Sequence, residues 1–262
     1  MKIEQGCLAE HYRELGYYAP NYAISETEAA DILSKLQAHE RVHGPLKALK
    51  PHLLFTWLDA LVRNRNILDV VETLVGPDIL CWSSSFFAKE ARSNKFVSWH
   101  QDGNYIGLQP NEMVTAWIAL TPSNAGNGAM RVIPRTHRKA IAHQETFVAD
   151  NLLSRGQEIQ ADIDASTAVT LELKPGEFSL HSTLIVHGSD PNPSDGPRVG
   201  FVVRYIPTRV RQTQSDSDSA LLVRGVDDFR HFAPERSPDG DFTPSVRAYH
   251  ASIDRGPHGL KK

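Results

Sequence analysis

The chain has 262 residues, of which 40% are hydrophobic and 23% are charged, and its formal net charge is −3. These values fit one soluble domain with a sizeable core, or one such domain with a tail, and they give no strong electrostatic attraction to nucleic acid. No apolar run approaches the ~20 residues of a membrane helix, and the N-terminal segment is too polar for a signal peptide. The two cysteines, Cys7 and Cys81, exclude a disulfide scaffold and a four-cysteine zinc site, so we expect a cytoplasmic setting.

The N-terminal part of the chain, residues 25–75, has the patterns of helices. Ser25 and Glu28 form a capping box, which predicts a helix over 25–40. Apolar residues at helical spacing predict a second helix over 57–75, and Gly76 followed by Pro77 predicts its end. We expect these helices to flank a sheet.

Residues 79–206 have the texture of short strands separated by turns, and we interpret them as the core of a single domain. The predicted strands are 79–89, 96–102, 113–121, 129–133, 168–173, 177–187 and 198–206. Several short strands with regular turns predict a β-sandwich or barrel. The polar insertion 141–166 is a candidate lid, and the pattern assigns no element to the extension 207–262.

The sharpest motif for chemistry is His100-Gln101-Asp102. Alternate residues of a strand share a face, so the imidazole and the carboxylate would point the same way and hold part of a two-histidine, one-carboxylate iron site. Spacing alone is weak evidence, because chance gives about one His-x-Asp match in such a chain. His143-Gln144-Glu145 is a similar motif, which we interpret as a solvated polar stretch in the candidate lid.

Residues further along the chain strengthen the interpretation of His100-Gln101-Asp102 as part of a metal site. His187 ends an apolar run, and Arg198 follows eleven residues later. The segments WHQD at 99–102, TAWIAL at 115–120, NAGNGAMRVIPRTH at 124–137 and HGSDPN at 187–192 occur in this order. In this combination the chain resembles the phytanoyl-CoA dioxygenase family, which are Fe(II)- and 2-oxoglutarate-dependent oxygenases.

The resemblance implies a mainly β fold with flanking helices, a double-stranded β-helix of the jelly-roll, cupin-like type. It also implies Fe(II), the cosubstrate 2-oxoglutarate and O2, with His100, Asp102 and His187 as iron ligands. Arg198 would bind the distal carboxylate of 2-oxoglutarate, for which a forked cation in a desolvated pocket is suited. The alternative for Arg198 alone is a surface arginine after a turn.

Further site residues are expected from the family pattern and from strand alternation. Family members have a tryptophan beside the cosubstrate at the place of Trp117, although ordinary barrel packing would also explain it. The other candidates for cosubstrate contact are Ser85, Lys89 and Thr115, and the candidates for substrate contact are Arg204, Tyr105 and Arg131. Gly200 would leave room for the cosubstrate. His181 is interpreted as a structural or supporting histidine rather than a fourth ligand.

The sequence therefore predicts a dioxygenase that hydroxylates a small polar or anionic metabolite, of the amino-acid, phosphonate or natural-product type, and releases succinate and CO2. Because Asp102 is present, hydroxylation is favoured over halogenation. The alternatives are an acyl-CoA 2-hydroxylase of the same family, a non-catalytic cupin-like protein that binds a metal or small molecule, and a purely structural module. We expect a monomer or homodimer whose partner is a small-molecule substrate.

Overall fold

The computed structural model describes residues 5–104, 106–153 and 156–253. Its α-helices are α1 Gln5–Leu15, α2 Glu26–His43, α3 Thr56–Val62, α4 Arg65–Val75 and α5 Pro244–Ser252. Helix α2 begins where the capping box predicted. The Ser25 N–H donates to Glu28 Oε2 at 2.7 Å, and the Glu28 N–H donates to Ser25 Oγ at 3.2 Å. Both bonds satisfy groups that the first helical turn leaves unpaired.

The single helix predicted over 57–75 is wrong, because the chain forms two helices there. Helix α3 ends at Val62, and the Asn64 side chain accepts hydrogen bonds from the N–H groups of Asn66 and Ile67. An asparagine in this position caps a new helix, so α4 starts at Arg65. The predicted end at Gly76 is confirmed, since the Gly76 N–H donates to the Glu72 carbonyl oxygen.

Most of the remaining structure is β. The strands are β1 Tyr17–Tyr22, β2 Ile79–Lys89, β3 Val97–His100, β4 Leu108–Gln109, β5 Val114–Ala119, β6 Met130–Ile133, β7 His143–Glu145, β8 Gln157–Ile159, β9 Val169–Thr170, β10 Glu177–Ser182, β11 Val186–Ser189, β12 Arg198–Pro207, β13 Arg211–Gln212, β14 Ser219–Arg224 and β15 Ala233–Pro234. The larger sheet has the order β1-β10-β5-β12-β2-β14-β15, and a second sheet has the order β3-β11-β6-β9. Neighbours that are distant in sequence are typical of a jelly roll.

Several elements differ from the sequence-based prediction. The run 177–187 is two strands, β10 and β11, which belong to different sheets. The predicted strand 168–173 is reduced to β9, and the insertion 141–166 contains the antiparallel pair β7 and β8. The extension after 206 carries β13, β14, β15 and α5, of which β14 pairs with β2. A strand from the extension therefore completes part of the larger sheet.

The described residues form two compact units. One contains residues 5–34, 87–104 and 117–201, and the other contains 35–86, 106–116 and 202–253, with the gaps given above. Strands β2, β5 and β12 each contribute residues to both units, so these boundaries differ from those at 79 and 206. The interpretation as a single oxygenase domain remains a prediction. No helix in the described ranges combines the length and apolar character needed to cross a membrane.

The second unit contains a buried cluster of charged side chains beside an apolar core. The Lys50 ammonium donates to Glu235 Oε1 at 2.6 Å and to the Ser219 carbonyl oxygen at 2.6 Å. His52 is fully buried, with Nδ1 2.7 Å from Ser84 Oγ and Nε2 3.6 Å from Glu235 Oε2. Burial lowers the pKa of His52, so this ring is neutral at neutral pH. The cluster joins residues that lie far apart along the chain.

Candidate active site

Three side chains of the first unit converge as a candidate metal centre. His100 ends β3 and lies opposite His187 of β11, with ring centroids 4.1 Å apart. Asp102 follows β3, and its Oδ1 lies 3.3 Å from His100 Nε2. One donor atom from each of the three residues lies within 4.8 Å of the other two. Two imidazole nitrogens and one carboxylate oxygen suit a non-haem ferrous ion, because they leave other coordination positions open.

The route by which Asp102 reaches this position differs from the prediction. Strand β3 ends at His100, and Asp102 begins a 3₁₀ turn, Asp102–Asn104. The Gly103 N–H donates to the Thr183 carbonyl oxygen at 2.8 Å, which fixes this turn. The expectation that both ligands share one face of a strand is therefore wrong. A tight turn, rather than strand alternation, brings the carboxylate beside His100.

The two histidines are held in the form that binds metals. His100 Nδ1 lies 3.0 Å from the Ser98 carbonyl oxygen, and His187 Nδ1 lies 3.0 Å from the Ile185 carbonyl oxygen. A carbonyl oxygen only accepts, so each Nδ1 carries the proton and each Nε2 presents a lone pair. Burial and the neighbouring His100 lower the pKa of His187 well below its ordinary value. A neutral imidazole is the form that a metal requires.

Arg198 is a buried cation without an anionic partner in the described residues. Its side chain is 1% exposed, and its guanidinium lies 5.1 Å from the Trp117 ring centroid and 5.9 Å from that of Phe87. Its Nε has no hydrogen-bond partner in the described structure. Burial lowers the pKa of Arg198 to about 10, so the group stays charged at neutral pH. A desolvated charge of this kind fits a carboxylate-bearing ligand, which would supply the missing acceptors.

Gly200 makes room for Trp117 rather than directly for a cosubstrate. A Cβ built on Gly200 would overlap the Trp117 indole ring, so the missing side chain allows the ring to approach the backbone of β12. Trp117 itself is 5% exposed and lies beside Arg198. The expectation that Gly200 leaves room for the cosubstrate is therefore wrong, because the Trp117 indole fills the space beside Gly200.

We expect Gly200→Ala to displace the Trp117 ring and thereby to disturb Arg198. The overpacking should cost about 1–3 kcal/mol of unfolding free energy, and the KM for the expected cosubstrate, 2-oxoglutarate, should rise. Gly196→Ala is the matched control, because a Cβ there meets no atom within 4 Å. Urea denaturation and initial rates measure the two effects. Equal behaviour of the two variants would contradict the packing role of Gly200.

The Lys89 side chain donates its hydrogen bonds to other groups of the protein. It is 1% exposed, and its ammonium donates to Ser189 Oγ at 2.7 Å, to the Ser189 carbonyl oxygen at 3.2 Å and to the Asp190 carbonyl oxygen. Burial and the charge of Arg198 lower the pKa of Lys89 to about 7. In the charged form of Lys89, three acceptors take all three ammonium hydrogens, so the group is engaged by the protein rather than by a cosubstrate as predicted. Lys89 instead fixes the end of β11.

Arg131 faces away from the candidate metal centre. In the pairing of β6 with β11, Val132 lies opposite His187 and Arg131 lies opposite Gly188, so Arg131 is on the other face of this sheet. There its guanidinium donates to Asp190 Oδ2 at 3.1 Å and to the Ala165 carbonyl oxygen at 2.9 Å. The prediction that Arg131 contacts the substrate is corrected for this geometric reason.

The other predicted contacts remain predictions. Thr115 is buried on β5, and Ser85 on β2 and Arg204 on β12 are half-buried. Tyr105 lies outside the described residues. His181 on β10 has its ring centroid 4.9 Å from that of His187, in agreement with a supporting position.

Sequence reasoning missed Phe87, whose ring lies near Arg198. Its signal was present, because Phe87 shares a strand face with Ser85 and Lys89, both of which were predicted to contact the cosubstrate.

The insertion packs against the sheet that carries His187, on the face opposite that histidine. Apolar side chains from the insertion, from β3, β6 and β11, and from the residue before β9 form one cluster: Trp99, Ile133, Ile141, Ile159, Ile163, Ala168 and Val186. Strand β8 is further fixed to β3, since Ser98 Oγ donates to the Gln157 carbonyl oxygen at 2.6 Å. The described part of the insertion is thus a packed cover of the outer face, which differs from the predicted lid.

Fold and donor set together define the class of this chain. It has a jelly-roll scaffold and a two-histidine, one-carboxylate arrangement, which is the architecture of the non-haem iron oxygenases. The sequence model of the phytanoyl-CoA dioxygenase (PhyH) family matches residues 9–200, and the chain belongs to this family. The predicted family is therefore confirmed.

Two curated relatives show how far the similarity extends. The probable alpha-ketoglutarate-dependent hypophosphite dioxygenase of Stutzerimonas stutzeri is 31% identical over 158 residues, which cover 59% of this chain and 54% of that protein. Peroxisomal phytanoyl-CoA dioxygenase of Bos taurus is 31% identical over 141 residues, covering 51% of this chain and 41% of that protein. The chain thus spans about half the length of the curated relatives it matches.

Solved structures match over nearly the whole chain. The apo form of the non-heme monooxygenase ThoJ has a TM-score of 0.84 and 37% identity, and the match covers 94% of both chains. The ThoJ–Ni complex has a TM-score of 0.80 and 34% identity, covering 94% of this chain and 95% of ThoJ. CytC3 with Fe(II) and alpha-ketoglutarate, at 22% identity and a TM-score of 0.68 over 90% of this chain and 95% of CytC3, shows the fold alone. The predicted jelly roll is confirmed.

Proposed function

We propose that this protein is an Fe(II)- and 2-oxoglutarate-dependent dioxygenase that hydroxylates an unactivated C–H bond of a small polar or anionic metabolite. The observation that carries the proposal is the convergence of His100, Asp102 and His187 within 4.8 Å. The buried Arg198, which has no anionic partner in the described structure, supports the cosubstrate. The relatives named above support the same chemistry, since the hypophosphite enzyme is alpha-ketoglutarate-dependent.

When bound, Fe(II) and 2-oxoglutarate supply the activation of O2: substrate R–H, 2-oxoglutarate and O2 give R–OH, succinate and CO2. The chain contributes position, charge and exclusion of water. His100 and His187 each offer Nε2, because their Nδ1 atoms donate hydrogen bonds to the carbonyl oxygens of Ser98 and Ile185. Asp102 offers a carboxylate oxygen, and Arg198 offers a planar fork for the distal carboxylate of 2-oxoglutarate.

The proposed substrate class rests on less evidence than the chemistry. Arg131 no longer supports an anionic substrate, because it is bonded to Asp190 and Ala165 on the outer face. The half-buried Arg204 is the remaining cationic candidate. The relation to a hypophosphite dioxygenase supports a small anion, and the relation to phytanoyl-CoA dioxygenase keeps an acyl-CoA as the second candidate.

Two experiments test the proposal in order. Anaerobic addition of Fe(II) and then 2-oxoglutarate to the metal-free protein should produce a weak visible charge-transfer band. Release of succinate is then measured with small anions, amino acids, phosphonates and acyl-CoA thioesters. No band and no succinate release above the uncoupled background would contradict an oxygenase and favour a binding protein. Turnover restricted to acyl-CoA would overturn the proposed substrate class.

Replacing Arg198 should selectively weaken the binding of 2-oxoglutarate. Arg198→Met removes a charge-assisted contact worth about 2–5 kcal/mol, so the KM for 2-oxoglutarate should rise at least ~30-fold. Arg198→Lys should recover only part of this loss, because an ammonium lacks the planar fork. Arg92→Met is the control, since Arg92 is exposed. An unchanged KM in Arg198→Met would exclude the assigned role.

A further inference from the structure

The chain between the two proposed ligands is attached to the insertion by a set of buried hydrogen bonds. Gln101, which separates His100 from Asp102, is 0% exposed. Its side-chain amide donates to the Lys139 and Leu184 carbonyl oxygens and accepts from the Ile141 N–H at 2.8 Å. This amide therefore connects the ligand turn both to the insertion and to the segment that leads into β11.

A second contact is made by the backbone of Gln101. Its N–H donates to His143 Nε2 at 2.9 Å, and His143 Nδ1 lies 2.7 Å from the Ile141 carbonyl oxygen. The Gln101 N–H can only donate, so Nε2 supplies the accepting lone pair and the proton is on Nδ1, which faces the Ile141 carbonyl oxygen. Asn104, at the end of the 3₁₀ turn, also donates to the Ile141 carbonyl oxygen. The insertion thus holds the turn at its beginning and at its end.

The position of this peptide matters because the backbone changes course there. Strand β3 ends at His100 and the 3₁₀ turn begins at Asp102, so the Gln101 N–H is not part of a strand ladder. An unsatisfied buried N–H costs about 1–3 kcal/mol, which would favour another course of the backbone. A different course would move the Asp102 carboxylate relative to His100 Nε2, now 3.3 Å away.

We propose that His143 is a positioning residue of the metal centre, and that the insertion which carries it acts as a fixed support for the Asp102 ligand. This role rests on the proposed function, because it presupposes that His100, Asp102 and His187 hold a metal. His143 lies on β7, which β8 pairs residue for residue, with His143 opposite the buried Ile159. The strand that carries His143 is therefore paired with a strand whose Ile159 belongs to the outer cluster of the sheet.

The test compares His143→Gln with His143→Asn in the full chain. The side-chain oxygen of glutamine can reach the place of Nε2 and accept from the Gln101 N–H, whereas that of asparagine is too short. We measure Co²⁺ affinity and the visible d–d spectrum of the loaded protein. His143→Asn should bind Co²⁺ about tenfold or more weakly and with a shifted spectrum, as expected for loss of a group that supports a ligand. His143→Gln should stay close to the unchanged protein.

Gln144→Ala, an exposed neighbour on β7, is the control for general effects on the insertion. Its spectrum and affinity should match those of the unchanged protein. Wild-type Co²⁺ affinity and spectrum in His143→Asn, or equal losses in the Asn and Gln variants, would overturn the positioning role and leave the proposed function intact. If the unchanged protein itself binds no Co²⁺, both proposals fail together.

Discussion

Asp102→Ala should abolish the proposed succinate-releasing hydroxylation, with a loss in kcat of more than about 100-fold. Loss of a group that merely supports a ligand costs about 10–100-fold, and Asp102 is proposed to be a ligand itself. The Asp102 carboxylate is the only acid among the three converging side chains, so its removal would leave two neutral imidazoles to hold a divalent cation. Turnover and Fe(II) affinity, measured by titration, should both fall.

Asp162→Ala is a suitable control, because Asp162 is exposed on the insertion and should tolerate the same change. Asp102 is partly exposed, so the variant should remain folded, and circular dichroism checks this directly. Unchanged turnover in the folded Asp102→Ala variant would remove the carboxylate from the proposed ligand set. Such a result would also remove the main argument for an iron-dependent reaction.

Lys50→Met should cause a larger loss of folding stability than Gly200→Ala. Lys50 is 4% exposed, and its ammonium lies 2.6 Å from Glu235 Oε1 and 4.0 Å from Asp218 Oδ1. Removing one partner of a buried ion pair leaves an uncompensated charge and typically costs about 3–5 kcal/mol. The free energy of unfolding, measured by urea denaturation at neutral pH, should fall by that amount. Lys47→Met, at an exposed position, should change it little.

The pH dependence of the same variant provides a second test. Burial by itself would raise the pKa of Glu235, but the neighbouring His52 and Lys50 outweigh it and hold the pKa below its ordinary value. A lowered folded-state pKa stabilises the fold above the unfolded pKa of about 4.3, and this contribution is lost as the pH falls through the folded pKa. In Lys50→Met the carboxylate loses its main counter-charge. The stability difference between the two proteins should therefore shrink on acidification.

A double variant separates charge from packing. Lys50→Met with Glu235→Gln removes both members of the pair, so it should recover part of the stability that Lys50→Met loses. No recovery would indicate that the loss arises from the volume and hydrogen bonds of the lysine rather than from the unpaired carboxylate.

Local sequence patterns predicted the parts of the site that local geometry determines. His100 ends β3 and Arg198 begins β12, both of which the sequence pattern predicted, whereas His187 ends an apolar run in the sequence but is the second residue of β11 in the structure. The identity of the family followed from the order of these segments. The sequence pattern could not predict the course of the backbone after His100, because a 3₁₀ turn of three residues is too short to show a periodic pattern. Asp102 thus lies beside the two histidines as predicted, but a turn brings it there rather than strand alternation.

Polar contacts between distant segments could not be predicted from the sequence, for a different reason. Lys50 and Glu235 are 185 positions apart, and each is an ordinary charged residue in its own segment. His143 was interpreted as solvated because its neighbours are polar, yet its ring nitrogen accepts from the buried peptide N–H of Gln101, just after the end of β3. A hydrogen bond between distant segments leaves no periodic trace in either one. Only the tertiary structure distinguishes such side chains from their exposed neighbours.

The buried ion pair has a practical consequence for any shortened form of this protein. The family match ends at residue 200, which suggests that the chain could be trimmed near that point. Both Ser219 and Glu235, which accept hydrogen bonds from Lys50, lie beyond that boundary. A trimmed chain would retain the Lys50 ammonium but lose the Glu235 carboxylate that neutralises it and the Ser219 carbonyl oxygen that accepts from it. Its melting temperature and its yield of folded protein should therefore be lower. The boundary of a family signature and the boundary of a self-sufficient fold are different in this molecule.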